Sequence, residues 1–192
     1  MTLAVIGGGA AGFFCAVNAA RLAPDLRVVL VEKSPKLLAK VKVSGGGRCN
    51  VTHDCRSATE LAKHYPRGQN FLKKSFSHFA VNGTIRWFEE RGVTLKTEPD
   101  GRMFPVTDSS QTVIDCLLAE ARRYSVEILT QWDVKAVERT SAGFSLLAAD
   151  GRRLAADSVC VACGGYPKSE QFGWITALGH TFEEPVPSLF PL

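Results

Sequence analysis

No stretch of this 192-residue sequence approaches the roughly 20 consecutive apolar residues of a membrane-spanning helix, so no membrane partner is expected. The opening, MTLAVIGGGAAG, lacks the basic start and small-residue cleavage site of a secretory leader, because its apolar run passes straight into glycines. The expected compartment is the cytoplasm. Cysteine is sparse as well: six residues, scattered along the chain, do not make a disulfide framework. Cys15, Cys116 and Cys160 sit within apolar runs, where a free cysteine behaves as a small hydrophobe. There is no bulk excess of one charge, with 23 Lys and Arg against 19 Asp and Glu and a net charge of +4. The two signs are interspersed, so no nucleic-acid partner is expected, and an anionic cofactor accounts for the small surplus. Internal repeats and low-complexity segments are absent too.

What is present is an ordered alternation. Thr2 to Ile6 is a short apolar run of the buried-strand kind, Gly7 to Gly12 follow, and FFCAVNAARLA reads as a helix. RVVLV, Arg27 to Val31, is a second β-branched run that ends at Glu32. Strand, glycine turn, helix and strand within about thirty residues are the dimensions of one βαβ unit. Further on, Ser57 to Arg91 reads as helical with interruptions at Pro66 and Gly83, and Gly92 has the place of a C-cap. A hairpin is predicted around GVTLKTEPDGRMFPV through its Asp100-Gly101 turn pair. Asp108 and Gln111 have capping-box spacing before the helix QTVIDCLLAEARRY. VEILT reads as a third core strand, and DVKAVERT, FSLLAAD and RRLAA as a small antiparallel meander. SVCVACGG is a strand entering paired glycines, and QFGWITALGH a short helix closed by Gly179. The fold class is α/β: a Rossmann-like parallel sheet with the meander inserted on one crossover.

Two motifs carry chemistry. The first is Gly7-x-Gly9-x-x-Gly12, which follows an apolar strand, opens a helix and has Glu32 at the end of the next strand. In such a motif the first glycine allows the tight turn, the second lets the backbone approach a pyrophosphate, and the third lets helix and strand pack closely. The N–H groups of the helix start then face the phosphates, and the acid accepts from the adenosine ribose hydroxyls. An acid there disfavours a 2′-phosphate, which favours FAD or NAD over NADP, although Lys33 stands beside it.

The second motif is SGGGRCN, Ser44 to Asn50. Consecutive glycine N–H groups make an anion-binding concavity, Arg48 offers a planar fork for phosphate or carboxylate, and Asn50 donates and accepts at once. The alternative is a plain turn with a surface arginine.

With these in view, GGGAAGFFCA, SGGGRCNVT, GRMFP, ACGG and the closing GH and PSLFPL resemble, in this order, the HI0933-like flavoproteins. The resemblance implies a fold of the two-dinucleotide-binding FAD type and FAD as cofactor. It implies that Gly7, Gly9, Ala10, Ala11, Gly12, Glu32 and Lys33 hold the ADP half, and that the loop of Ser44, Gly45, Gly46, Arg48, Cys49 and Asn50 lies against the cofactor. It further places the Val134 backbone at the adenine, and Ala162, Gly164 and Gly165 near the pyrophosphate. Where that family carries a GSTGDGY-like segment this chain reads PKSEQFGWI, and no cofactor contact is assigned there.

The family also continues past PSLFPL into a second domain before returning to the first. The expected organisation is therefore a cofactor domain over residues 1–185 and the start of a second domain over 186–192, with self-association through whatever surface is left bare. The expected function is the FAD-binding portion of a flavin-dependent oxidoreductase acting on a small organic substrate, with dioxygen or NAD(P)H as electron partner. The rivals are an NAD-dependent dehydrogenase, which has no use for the SGGGRCN loop, and a non-catalytic dinucleotide-binding module.

No catalytic acid, base or nucleophile stands out. Cys160-x-x-Cys163 lies on a strand entering a turn, not at a helix start, and reads as packing. Cys49, His53 and Cys55 match no common zinc spacing, and no metal is expected. Phe71, Phe76 and Phe79 read as helix-packing residues.

Overall fold

The structure, a computed structural model, describes residues 1–65, 68–166 and 168–185. The expected break at Pro66 and the expected second-domain start at 186–192 lie outside the described residues. In chain order the elements are β1 (Thr2–Ile6), α1 (Ala10–Leu22), β2 (Arg27–Val31), α2 (Ala39–Val43), β3 (Thr52–His53), α3 (Ala58–Lys63), α4 (Gln69–His78) and α5 (Val81–Glu89). They continue with β4 (Leu95–Thr97), β5 (Arg102–Pro105), α6 (Ser110–Arg123), β6 (Glu127–Leu129), β7 (Val134–Thr140), β8 (Gly143–Ala148), β9 (Arg153–Ala156), β10 (Ser158–Val161) and α7 (Gly173–Thr176). The chain forms two compact units, one of Met1–Leu38 with Glu120 onward, the other of Ala39–Ala119.

In the first unit a four-stranded sheet runs in the order β10-β1-β2-β6, with every pairing parallel. Strand alternation decides its layers. Ala4, Ile6, Val29 and Val31 point to one face, where they meet Trp132, Val137, Leu146, Ala148 and Ala156 of the β7-β8-β9 meander in one buried cluster. Val5, Val28 and Leu30 are buried on the opposite face. Helix α1, which packs on β1 and β2, buries Phe13, Ala16, Val17 and Ala20 in a stripe of helical period. The expected parallel sheet and its meander are both present, and VEILT takes its place as strand β6.

The second unit holds a three-stranded antiparallel sheet, β3-β5-β4, whose Met103 meets Leu61 of α3 and Val81 of α5 in a small core. The Asp100-Gly101 hairpin forms as expected, with Gly101 at φ +84° and its N–H on the Glu98 carbonyl (2.8 Å). Gly92 closes α5 at φ +76° with the paired bonds of a Schellman cap: its N–H donates to Glu89 O and that of Val93 to Phe88 O, both 2.9 Å.

Two local expectations fail for physical reasons. Gly83 does not interrupt the helical stretch; it lies inside α5, and the break falls at Phe79-Ala80 instead. A Cβ on Gly83 would stand 2.9 Å from the Phe79 ring, so the glycine makes room for an aromatic rather than for a turn. Nor does Asp108 cap α6. It adopts φ +51° and pairs with Lys96 at 2.5 Å, while Ser109 Oγ accepts from the Gln111 N–H at 3.3 Å.

Candidate functional site

The first cluster of interest is the turn between β1 and α1. Gly7 takes φ +116°, and a Cβ on it would lie 2.5 Å from the Ala162 carbonyl oxygen; at Gly12 a Cβ would lie 1.8 Å from the Gly7 carbonyl oxygen. These two glycines are there because strand, turn and helix touch backbone to backbone. Gly9 is different. Its φ is an ordinary −91°, and a Cβ on it would meet nothing within 4 Å. Open space beside a glycine that packing does not require is what a closely approaching ligand needs.

Helix α1 begins at this opening without a side-chain cap and without an acid in its first turn. Ala10 and Ala11 are exposed there. The unpaired N–H groups of a helix start carry about half a positive charge and favour an anion.

Glu32 closes the other side. Its Oε2 accepts from the Gly8 N–H at 2.7 Å and its Oε1 from the Ser34 N–H at 2.9 Å. A carboxylate has about four acceptor positions, so Glu32 knits the two loops together and keeps acceptor capacity for a hydroxyl pair. Gly8, to which the sequence motif assigns no role, is part of this arrangement, since a Cβ on it would meet the Glu32 Cβ at 2.9 Å. Lys33 is exposed beside it. The chain then passes Glu32 again, with the Trp132 N–H on the Glu32 carbonyl (2.8 Å), before it enters β7 at Val134. Ala162 extends β10 through its N–H on the Ile6 carbonyl (2.8 Å), and Gly164 (φ +76°) and Gly165 follow as exposed residues. The first unit therefore brings Gly7, Gly9, Ala10, Ala11, Gly12, Glu32 and Ala162 together at the turn between β1 and α1.

Ser44 to Asn50 belong to the second unit. Gly45, Gly46 and Gly47 take φ of +56°, +68° and +86°, and Cys49 one of +63°, so the loop is a left-handed coil that only a glycine run enters without strain. Gly45 is also fixed by crowding, because a Cβ there would lie 2.8 Å from the Asn50 N and from the Phe104 ring. Gly46 and Gly47 face open space, and Asn50 is exposed while Cys49 is buried. Burial raises the Cys49 thiol pKa above its ordinary value, which keeps it a neutral packing group.

Arg48 departs from the free fork read in the sequence. It lies 4.0 Å over the Phe104 ring, bonds Glu98 through Nη1 and has Asp108 at 3.8 Å. Its planar face and one edge are already used to brace the loop from β5 and from the β4-β5 turn. Removing the brace has a measurable consequence. Glu98→Ala is expected to cost about 1–3 kcal/mol, the range for a hydrogen bond to a charged group left unmade, seen as a drop of roughly 2–12 °C in Tm. A shift below about 1 °C would show that the loop stands without the pair.

The cysteines behave as packing groups. Burial and the adjoining Cys160 thiol push Cys15 up to about 12. Burial and a bond to Cys163 push Tyr166 to about 12 as well. Among the described residues no three metal-ligating side chains cluster, and no helix is long and apolar enough to cross a membrane.

A parallel sheet with a glycine turn at the carboxyl end of its first strand, a bare helix start and an acid at the end of the second strand define a dinucleotide-binding Rossmann domain. Residues 1–182 match the family model described as HI0933-like protein Rossmann domain. The chain belongs to the HI0933-like family. It is 32% identical over 196 residues, 99% of this chain and 47% of the relative, to the 3-dehydro-bile acid delta(4,6)-reductase of Clostridium scindens. It is 28% identical over 181 residues, 88% of this chain and 44% of the relative, to the ribosomal RNA dihydrouridine synthase of Escherichia coli. The chain thus spans about half the length of these curated relatives. Among solved structures, the quinol fumarate reductase FrdA of E. coli matches with a TM-score of 0.63 at 18% identity, over 87% of this chain and 33% of that one, a likeness of fold.

Proposed function

We propose that this chain is the FAD-holding portion of a flavin-dependent oxidoreductase whose substrate is a small organic molecule. The observation that carries the reading is Gly9: alone among the three motif glycines it has neither a positive φ nor a crowded Cβ, and it opens beside the uncapped start of α1. The residues present fit the ADP half of FAD. The N–H groups of α1 would receive the pyrophosphate, Glu32 would accept from the ribose hydroxyls, and the backbone at Val134 would meet the adenine. Gly164 and Gly165 would line the pyrophosphate. The exposed backbone of Gly46 and the Asn50 side chain would contact the cofactor, with Arg48, Ser44, Gly45 and Cys49 holding that loop in shape.

FAD supplies the electron-transfer chemistry when bound, while the protein binds, orients and shields it. A small organic substrate follows the bile acid named for the relative at 32% identity. We further propose NAD(P)H as electron partner and the cytoplasm as the compartment, the latter on the scatter of the six cysteines.

The test is an absorption spectrum of the purified chain after incubation with FAD and gel filtration. Flavin bands that elute with the protein are expected. Protein that elutes colourless and shows no FAD binding in titration would overturn the reading.

A further inference from the structure

Phe71 does not pack as expected; it is 79% exposed on α4 of the second unit. A lone ring offers no cleft. In the first unit a groove of about 520 Å³ runs between β7 and the α7 segment. One wall is five consecutive residues, Lys135 to Arg139. Successive side chains of a strand point to opposite faces, so a wall that contains all five is the strand's edge and not one of its faces. Strand β7 ends the β7-β8-β9 sheet, and among the described residues no strand pairs with its outer side. Such an edge presents a row of unpaired N–H and C=O groups, here over about 17 Å at roughly 3.4 Å per residue. The other wall holds Trp174, Ala177 and Leu178. Trp174 and Leu178 pack on the buried cluster that contains Val137, so the floor is apolar. Arg139 stands opposite Phe144 and Val137 opposite Leu146, which puts both on that apolar side. The charges of the groove are not balanced. Lys135 pairs with Asp133 at 2.7 Å and Glu138 with Arg153 at 3.0 Å, whereas among the described residues Arg139 has no ion pair and lies 5.9 Å over the Phe144 ring.

We infer that this groove binds an extended segment of a partner protein, which adds a strand to the free edge of β7, seats an apolar side chain on Val137, Trp174 and Leu178 and places an acidic side chain on Arg139. Strand addition takes its affinity from main-chain hydrogen bonds and its specificity from the places it offers to alternate side chains. One unpaired cation two residues from an apolar floor suits a carboxylate two residues from an apolar side chain, the order in which a strand presents one face. A second copy of β7 fits less well, because antiparallel pairing centred on Val137 sets Lys135 against Arg139, and like charges directly opposite one another destabilise a strand pair. None of the residues given to the cofactor lines the groove, so the inference holds or fails apart from the flavin reading.

The experiment is fluorescence anisotropy on the full chain with a labelled heptapeptide, TVTETVT, whose valines and glutamate share one face when extended and read alike in either direction. Saturable binding is expected. Arg139→Gln should weaken it about tenfold, the effect of one hydrogen bond between charged groups. Ala177→Phe, at an exposed position, fills the groove and should weaken binding at least about tenfold, as overpacking of an occupied site does. Circular dichroism should show both variants folded. Two methylated peptides separate strand addition from capture of side chains alone, one with its amides N-methylated at the threonines, the other at the valines and glutamate. Alternate amides of a strand point to opposite edges, so one form should lose binding and the other keep it. No saturable binding, binding that neither variant alters, or methylated forms that behave alike would overturn the inference. So would a native chain that sediments as a dimer while Ala177→Phe sediments as a monomer, because the edge would then serve a second copy.

Discussion

Gly12→Ala is expected to destabilise the first unit by about 3 kcal/mol or more, the upper range for overpacking, and to lower Tm by roughly 6–12 °C. The cause is local and severe. A Cβ at position 12 would stand 1.8 Å from the Gly7 carbonyl oxygen, against backbone that has no rotamer with which to retreat. The turn would have to open, and α1 would lose its seat on β1. Gly9→Ala supplies the contrast. At that position a Cβ meets nothing within 4 Å and φ is −91°, so the cost is about 1 kcal/mol at most, that of a poorer residue at the helix start. Affinity for FAD should nevertheless fall at least about tenfold, since the methyl group would occupy the approach of the pyrophosphate. Thermal unfolding and flavin titration on the two variants separate the roles: a stable Gly9→Ala protein with undiminished FAD affinity would remove this glycine from the site.

Glu32→Ala is the second large effect. The substitution leaves the Gly8 and Ser34 N–H groups without their acceptor and removes the group proposed for the ribose. At 1.5–3 kcal/mol for a hydrogen bond to a charged group, the affinity for ADP should drop by about 10- to 150-fold. Glu32→Gln should fall between Ala and the native residue, because its amide oxygen still accepts one bond. Isothermal titration with ADP reads both. An affinity for ADP that survives Glu32→Ala would place the ribose elsewhere.

The parts of the molecule that could be read from the sequence are those whose causes are local. The strand, glycine turn, helix and strand from Thr2 to Val31 are specified by residues within one turn of each other, and the structure contains them with the expected parallel pairing. The three hairpin-linked strands of the meander announce themselves through period-two alternation and small-residue turns. What the sequence concealed depends on partners far along the chain. Arg48 looked like a free anion fork because its carboxylate partner, Glu98, stands 50 residues away, and nothing in SGGGRCN points to it. Gly83 looked like a helix breaker because the Phe79 ring that needs its missing side chain does not reveal its direction in the sequence. Gly8 carried no assigned role in the motif, although the Glu32 carboxylate needs its N–H and its lack of a side chain.

In the proposed site the open space beside Gly9 would receive the adenosine diphosphate end of FAD. Competition titration on the native chain tests this most directly: bound FAD is challenged in turn with ADP and with FMN, and displacement is followed by flavin fluorescence and, for the second ligand, by gel filtration. ADP should displace FAD and FMN should not, because the turn, the helix start and Glu32 all address the half of the cofactor that FMN lacks. Displacement by FMN with no effect of ADP would contradict the assignment of this site.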